Sequence, residues 1–284
     1  MSENHIGTGR EAVVLQGEDL TAFPAEFDPE RPSAARVYDY YLGGASNLKV
    51  DRDFGKKVLE VLPEARDYAL YNRAFLRRAV RYCASRGVRQ FLDIGAGIPT
   101  VGHTHEIAQQ IDPACRVVYV DNEALAVAHS ELLLTGNPNA AAVHADLRAP
   151  SAVLDARETR RLLNFDEPIA VLMVALLHFI PEADDPKSLL RRYHAALVPG
   201  SYLVMSHATD EDLNPRVGTA AEMYRTTDKP ACVRDREQII ELFDGFDLVE
   251  PGVVLTSQWR PDSPSEVVEP NRAAALGGVG RKIF

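Results

Sequence analysis

The residues that could do chemistry sit where apolar runs stop. In "QFLDIGAGIPT", Asp93 closes the run, and Gly95 and Gly97 follow within four residues. Glycine lets a backbone turn sharply and approach a ligand with no Cβ in the way. "RVVYVDN" ends on Asp121 and Asn122, "HADLR" carries Asp146 and Leu147, and "VLMVALLHF" carries Ala175 and Leu176 before His178. A carboxylate such as Asp121 can accept hydrogen bonds from both hydroxyls of a ribose. Asp146 offers an acceptor to an adenine amino group, and Ala175 and Leu176 offer backbone carbonyls. The ligand implied is an adenosine-containing cofactor. A dinucleotide wants a third glycine and a helix start aimed at its pyrophosphate. Here the third position is Thr100, and Asp93 would repel a diphosphate. The same charge suits the α-ammonium of a methionine moiety. These residues favour S-adenosylmethionine over NAD.

Methyl transfer from a sulfonium is an in-line displacement that needs a positioned nucleophile, and a base only if that nucleophile must lose a proton. His178 is the candidate base, and His207 in "VMSHAT" is a second. A histidine that only closes the pocket by a hydrogen bond is the other reading of each. His103 and His105 form an HxH pair with no third ligand nearby, which points to a helix start rather than a metal. "RVYDYYLGGASN" combines Tyr38, Tyr40 and Tyr41 with a glycine pair and Asn47. It reads as a packed amphipathic helix or as a lid that brings a tyrosine or Asn47 to the pocket. Aromatic faces near a sulfonium would gain cation–π attraction. Arg73 is read as aimed at the cofactor's carboxylate. Its neighbours Arg77, Arg78, Arg81, Arg86 and Arg89 are read as a solvated helix face, and Trp259 as packing.

The elements that must position these groups follow from the hydrophobic rhythm. Residues 1–32 are polar, with Pro24, Pro29 and Pro32, and read as a loosely held arm. Residues 33–87 read as three helices forming a cap: one opened by Ser33 and closed by Gly43–Gly44, one capped by Asp51 and stopped by Pro63, and one ended by Gly87. From 88 to 284, strands at "QFLDIG", "RVVYVD", "AAVHAD", "IAVLMVALL" and "SYLVMSH" alternate with helices near 102–111, 122–135, 150–162 and 184–197. Continuous apolar strands alternating with helices predict a parallel sheet covered on both faces. After a helix near 234–243, "FDLVEPGVVLTSQW" and "NRAAALGGVGRKIF" predict an antiparallel hairpin at one side. The 284 residues carry a net charge of −10, which argues against broad attraction to nucleic acid or to an anionic membrane. The chain lacks a long apolar run and its N-terminus lacks a secretory pattern, so the expected place is the cytoplasm. Cys83, Cys115 and Cys232 form no paired spacing and are expected to be reduced.

With these stretches in view, the chain resembles the S-adenosyl methyltransferase family common in actinobacteria, long catalogued as a domain of unknown function. The resemblance runs from about Pro32 to the C-terminus through "ARVYDYYLGGASN", "NRAFLRRAVR", "DIGAGIPT", "THEIAQ", "VVYVDN", "HADLR", "LHFIPEADDP", "PGSYLVMSHAT" and "GVGRK". It implies an α/β, class I (Rossmann-like) methyltransferase fold of seven strands, mostly parallel, the last antiparallel and inserted between the fifth and sixth. Carried over by motif, Asp93, Gly95, Gly97, Asp121, Asn122, Asp146 and Leu147 would bind S-adenosylmethionine, with Ala175 and His178 bordering the methyl donor. Gly102–His103 departs from the ordinary polar pair and leaves the start of the next helix open. The resemblance supplies no substrate; the activity expected is methylation of a small-molecule acceptor at oxygen or nitrogen, with a cofactor-binding module that lacks turnover, or an NAD-dependent oxidoreductase, as the other readings.

Overall fold

The computed structural model describes residues 28–99, 102–209, 214–227, 229–267, 272 and 274–284. The expected arm therefore lies almost wholly outside the described residues, as does Thr100. Three helices come first: α1 (Ala34–Tyr41), α2 (Lys49–Val61) and α3 (Ala65–Ser85). The Ser33 hydroxyl accepts the N–H of Arg36 and starts α1, and Gly43 ends it with φ of +78°. Asp51 is not the cap of α2 but sits inside its first turn, where its carboxylate accepts the Leu48 N–H at 2.8 Å.

Five parallel strands follow: β1 (Gln90–Ile94), β2 (Arg116–Asp121), β3 (Ala140–His144), β4 (Ala170–Val174) and β5 (Tyr202–Ala208). Between them run α4 (Thr104–Ile111), α5 (Ala124–Leu133), α6 (Pro150–Leu154), α7 (Arg157–Leu162) and α8 (Pro186–Ala195). The single helix expected over 150–162 is thus two, interrupted around Asp155–Ala156. Beyond β5 come α9 (Arg216–Met223), α10 (Arg236–Glu241), β6 (Asp247–Leu248), β7 (Val254–Leu255) and β8 (Ala275–Arg281). The strand order is β3-β2-β1-β4-β5-β8-β6, with β8 antiparallel to β5 and to β6. This is the class I methyltransferase sheet. It has eight strands rather than seven because "FDLVEPGVVL" breaks in two. Pro251 cannot donate to a ladder, and the chain rejoins β8 as β7, with Val254 opposite Gly277.

Two-residue alternation divides the core. Leu92, Ile94, Val118, Val120, Val171 and Met173 face one side with residues of α8 and α10. Phe91, Val117, Tyr119, Ala170 and Leu172 face the other with Phe75, Leu76 and Ala79 of α3. The cap has its own small core, in which Val37, Tyr41, Phe54 and Val58 pack against Val217 and Ala220 of α9. Trp259 is fully buried, edge-on to Phe75 and Tyr82 at 5.5 and 5.7 Å. Arg78 departs from the solvated face expected of its helix. It is 3% exposed, and its guanidinium donates to the carbonyls of Trp259 and Thr256 and pairs with Glu266 at 2.8 Å.

Candidate functional site

The strand ends, not the strands, make the site. At the end of β1 the chain turns through Gly95 (φ +69°) and Gly97 (φ +66°). A Cβ on Gly95 would collide with the Leu176 side chain, so only glycine fits that crossing. The Gly95 N–H donates to the Val120 carbonyl at 2.8 Å, and the Gly97 N–H donates to Oδ2 of Asp121 at 2.8 Å. The other Asp121 oxygen accepts the Glu123 N–H at 2.9 Å. The carboxylate is thereby fixed, and a carboxylate oxygen can accept more than one hydrogen bond.

Asp93 is 6% exposed and accepts the Thr104 hydroxyl at 2.6 Å. Burial pushes its carboxyl up to about 6, against the Thr104 hydrogen bond and the nearby Arg73 charge, while Asp121 pushes it further up. Such a group is relieved by a cation. Thr104, which the sequence reading did not single out, opens α4 just after Gly102 (φ +81°) and His103. The Glu106 carboxylate accepts the His103 N–H at 3.1 Å, so the start of α4 already holds an anion and is ill suited to a pyrophosphate.

Asp146 is gripped by its neighbour. Arg148 donates to both carboxylate oxygens, at 3.0 and 2.6 Å, and Asn122 adds a contact at 3.2 Å. Burial raises this carboxyl, but the Arg148 hydrogen bonds and charge outweigh it and hold it down to about 2. At the end of β4, Ala175 has φ of +54°, a strained value for a residue with a Cβ, costing roughly 1–3 kcal/mol. Its N–H donates to the Ser206 hydroxyl at 2.9 Å, which donates to Oδ1 of Asn72. Asn72 in turn donates to the Tyr38 hydroxyl at 3.0 Å, and that hydroxyl donates to the Ala69 carbonyl. One hydrogen-bonded chain thus ties the strand end to α3 and α1.

Arg73, Asp93, Gly95, Gly97, Asp121, Asn122, Asp146, Leu147, Ala175 and His178 all line one cavity of about 500 Å³. Tyr38 and Tyr41 of the cap line it as well. Tyr40 does not; it lies against Arg66. Asn47 does not reach it either. Its amide donates to Asp39 at 2.7 Å and to the Gly44 carbonyl at 2.8 Å, closing the loop after α1. Gly44 is needed there because a Cβ would strike the Asp39 carboxylate.

The histidines separate. His178 is 6% exposed, its Nδ1 has no hydrogen-bond partner among the described residues, and burial, with His207 and the Arg234 guanidinium nearby, keeps it neutral. His207 lies outside the lining. Its Nδ1 donates to the Ala208 carbonyl at 2.7 Å, and its Nε2 accepts from Arg234 at 2.7 Å, so neither nitrogen is free to take a proton from a substrate. His105 is committed to the Tyr119 hydroxyl at 2.7 Å and stacks on His103 at 5.5 Å. Arg234 is a second residue the sequence reading missed. Buried to 3% exposure, it donates to the carbonyls of Leu177 and Ile180 and pairs with Glu182, clamping the segment that carries His178.

The cap does not dock by apolar contact alone. Arg36, 3% exposed, donates to Asp51 at 2.7 Å and to Glu123 at 2.9 Å, and the Ser33 hydroxyl donates to the same Glu123 carboxylate. Glu123 is the residue whose N–H orients Asp121. The cap and the Asp121 carboxylate are therefore two hydrogen bonds apart.

Comparison with known proteins agrees with this geometry. The family model described as S-adenosyl methyltransferase matches residues 21–283. A crystal structure of a candidate methyltransferase from Thermobifida fusca is 38% identical, covers 90% of this chain and 96% of its own, and superposes with a TM-score of 0.86. A DUF574 family protein from Streptomyces avermitilis is also 38% identical, over 90% of this chain and 99% of its own, with the same TM-score. No curated protein sequence is similar enough to count as a match. Strand order, glycine turn and matched length together place the chain in the S-adenosyl methyltransferase family, as a methyltransferase whose cofactor is S-adenosylmethionine.

Proposed function

We propose that the protein methylates a small molecule at oxygen or nitrogen inside the cavity between the sheet end and the helical cap. The observation that carries this is one cavity lined by two unlike sets of residues. Strand-end carboxylates and the glycine turn form one, and aromatic and aliphatic side chains from the cap and α9 form the other. About 500 Å³ falls within the range for small-molecule sites. S-adenosylmethionine, when bound, supplies an electrophilic methyl group on a sulfonium. The assigned roles follow from the chemistry of each group. Asp121 holds the ribose hydroxyls, and Asn122, Asp146 and Leu147 border the adenine. Asp93 faces the α-ammonium, Arg73 the carboxylate, and Gly95 and Gly97 give the backbone room to approach. Ala175 and His178 border the transferred methyl, where His178 can accept a proton or a hydrogen bond. Residues 33–87 act as the cap and 88–284 as the cofactor-binding domain. The net charge of −10 gives no basis for a nucleic-acid acceptor. No helix among the described residues is long and apolar enough to cross a membrane.

The test is formation of S-adenosylhomocysteine when the protein is supplied with S-adenosylmethionine and a small-metabolite extract. Extract-dependent formation, with a new product heavier by one methylene, supports the proposal. Tight S-adenosylhomocysteine binding with no turnover in any extract fraction would instead favour a binding module.

A further inference from the structure

The half of the cavity facing away from the strand-end acids has a distinctive chemistry. Its walls are the rings of Tyr41, Tyr68, Tyr224 and Phe179, with aliphatic groups of α2 and α9 between them. The Tyr224 ring lies 6.0 Å from Phe179, and Phe179 lies 4.3 Å from the His178 imidazole. Tyr68 lines the same cavity, and burial raises its hydroxyl well above the ordinary value. Three polar atoms of side chains that line it are buried without a hydrogen-bond partner among the described residues: the Tyr41 and Tyr68 hydroxyls and Nδ1 of His178. A buried polar atom left unmade is costly, so such atoms in a cavity mark where a ligand's polar atoms belong.

Building on the methyltransferase reading above, we infer that the acceptor is an uncharged aromatic hydroxyl compound, a phenol. Its ring would lie among Phe179, Tyr41 and Tyr224, and its hydroxyl would be shared between His178 and Tyr68. Flat rings pack edge-on or offset against such walls. Among the described residues, a carboxylate or phosphate acceptor would find the cations that line the cavity engaged, since Arg73 is given to the cofactor's carboxylate, Arg148 pairs with Asp146 and Asp184, and Lys229 acts on Glu123. An aliphatic alcohol fits the polarity but not the proton transfer. His178 is held neutral by burial and is a weak base, so it suits the more acidic proton of a phenol. In the step, the phenolic oxygen forms the new O–CH3 bond as the C–S bond breaks, and that bonding pair stays on sulfur. The phenolic proton passes to His178 and then to water, leaving a methyl ether, S-adenosylhomocysteine and one proton.

The experiment uses the full-length protein saturated with S-adenosylhomocysteine and titrates 2-naphthol, 2-naphthoate and decahydro-2-naphthol by calorimetry. The first step, S-adenosylhomocysteine binding itself, tests the methyltransferase reading separately from this one. The expected result is that 2-naphthol binds at least tenfold more tightly than the other two. Tyr68→Phe should lose about tenfold in 2-naphthol affinity with S-adenosylhomocysteine affinity kept. With methyl-labelled S-adenosylmethionine, 2-naphthol should yield 2-methoxynaphthalene, and His178→Gln should lower kcat at least a hundredfold with little change in 2-naphthol binding. Failure of 2-naphthol to bind the S-adenosylhomocysteine complex, preference for 2-naphthoate or decahydro-2-naphthol, or wild-type turnover by His178→Gln would each overturn the inference.

Discussion

Replacing Asp121 with alanine removes a carboxylate held at the end of β2 by the N–H groups of Gly97 and Glu123, at 2.8 and 2.9 Å. The account gives it two further bonds, to the ribose hydroxyls. Hydrogen bonds to a charged acceptor are worth roughly 1.5–3 kcal/mol each. Losing two should weaken S-adenosylhomocysteine binding by about 3–6 kcal/mol, a hundredfold to ten-thousandfold or more in Kd. The lost anchor of the Gly97 turn adds to this. Asp121→Asn keeps one acceptor oxygen but sets an NH2 against one of the two N–H donors, so it should fall between wild type and alanine. Calorimetry measures the affinities, and circular dichroism with thermal melting establishes that each variant is folded. A folded Asp121→Ala protein with unchanged affinity would refute the reasoning, because no other group in the account can take over both hydroxyls.

Asp93 should make binding pH-dependent. Its carboxyl is raised by burial to about 6, so the folded protein holds a proton that the unfolded chain releases near the ordinary carboxylate value. Stability from this group is full below that value and is lost as pH rises through about 6, a swing of about 3 kcal/mol. Asp93→Asn should therefore gain stability relative to wild type between pH 5 and pH 7.5, read by urea midpoints. Wild-type affinity for S-adenosylhomocysteine should rise with pH over the same interval, and Asp93→Asn should lose that rise. Gly95→Ala, at φ of +69° and against Leu176, should cost about 1–3 kcal/mol in urea unfolding and abolish cofactor binding. Arg36→Met leaves Asp51 and Glu123 buried without their cation and should cost about 3–5 kcal/mol. Hydrogen exchange should then rise across α1, and unchanged exchange there would show that the ion pairs do not hold the cap.

The gathering of the strand-end residues at one cavity was legible because they break a local pattern. Asp93 and Asp121 are charges ending apolar runs, and the glycines between strand and helix have a conformational reason visible in the sequence. The acidic pairings of the cap were not legible. Arg36 and Glu123 look like surface charges in one dimension and Asp51 like a helix cap, and the partners of Arg36 lie 15 and 87 residues away. Arg78 and Arg234 were hidden for the same reason, since each is buried by carbonyls from distant segments. α9 was overlooked because its apolar positions, Val217 and Ala220, make sense only against the cap helices. The break between β6 and β7 was readable at Pro251–Gly252 but was passed over in favour of one longer strand. Tyr40 and Asn47 show the limit of composition: a segment dense in functional side chains sends Tyr38 and Tyr41 to the cavity, and the others to the packing that holds them there.

The central claim is that these strand ends hold S-adenosylmethionine beneath the cap with His178 at the methyl. A crystal structure of the full-length protein with S-adenosylhomocysteine tests it most directly. The account predicts both ribose hydroxyls on Asp121, the amino group facing Asp93, and the sulfur turned toward His178 and the aromatic compartment. A ligand seated in this cavity with its ribose away from Asp121, or with its sulfur turned away from His178, would contradict it.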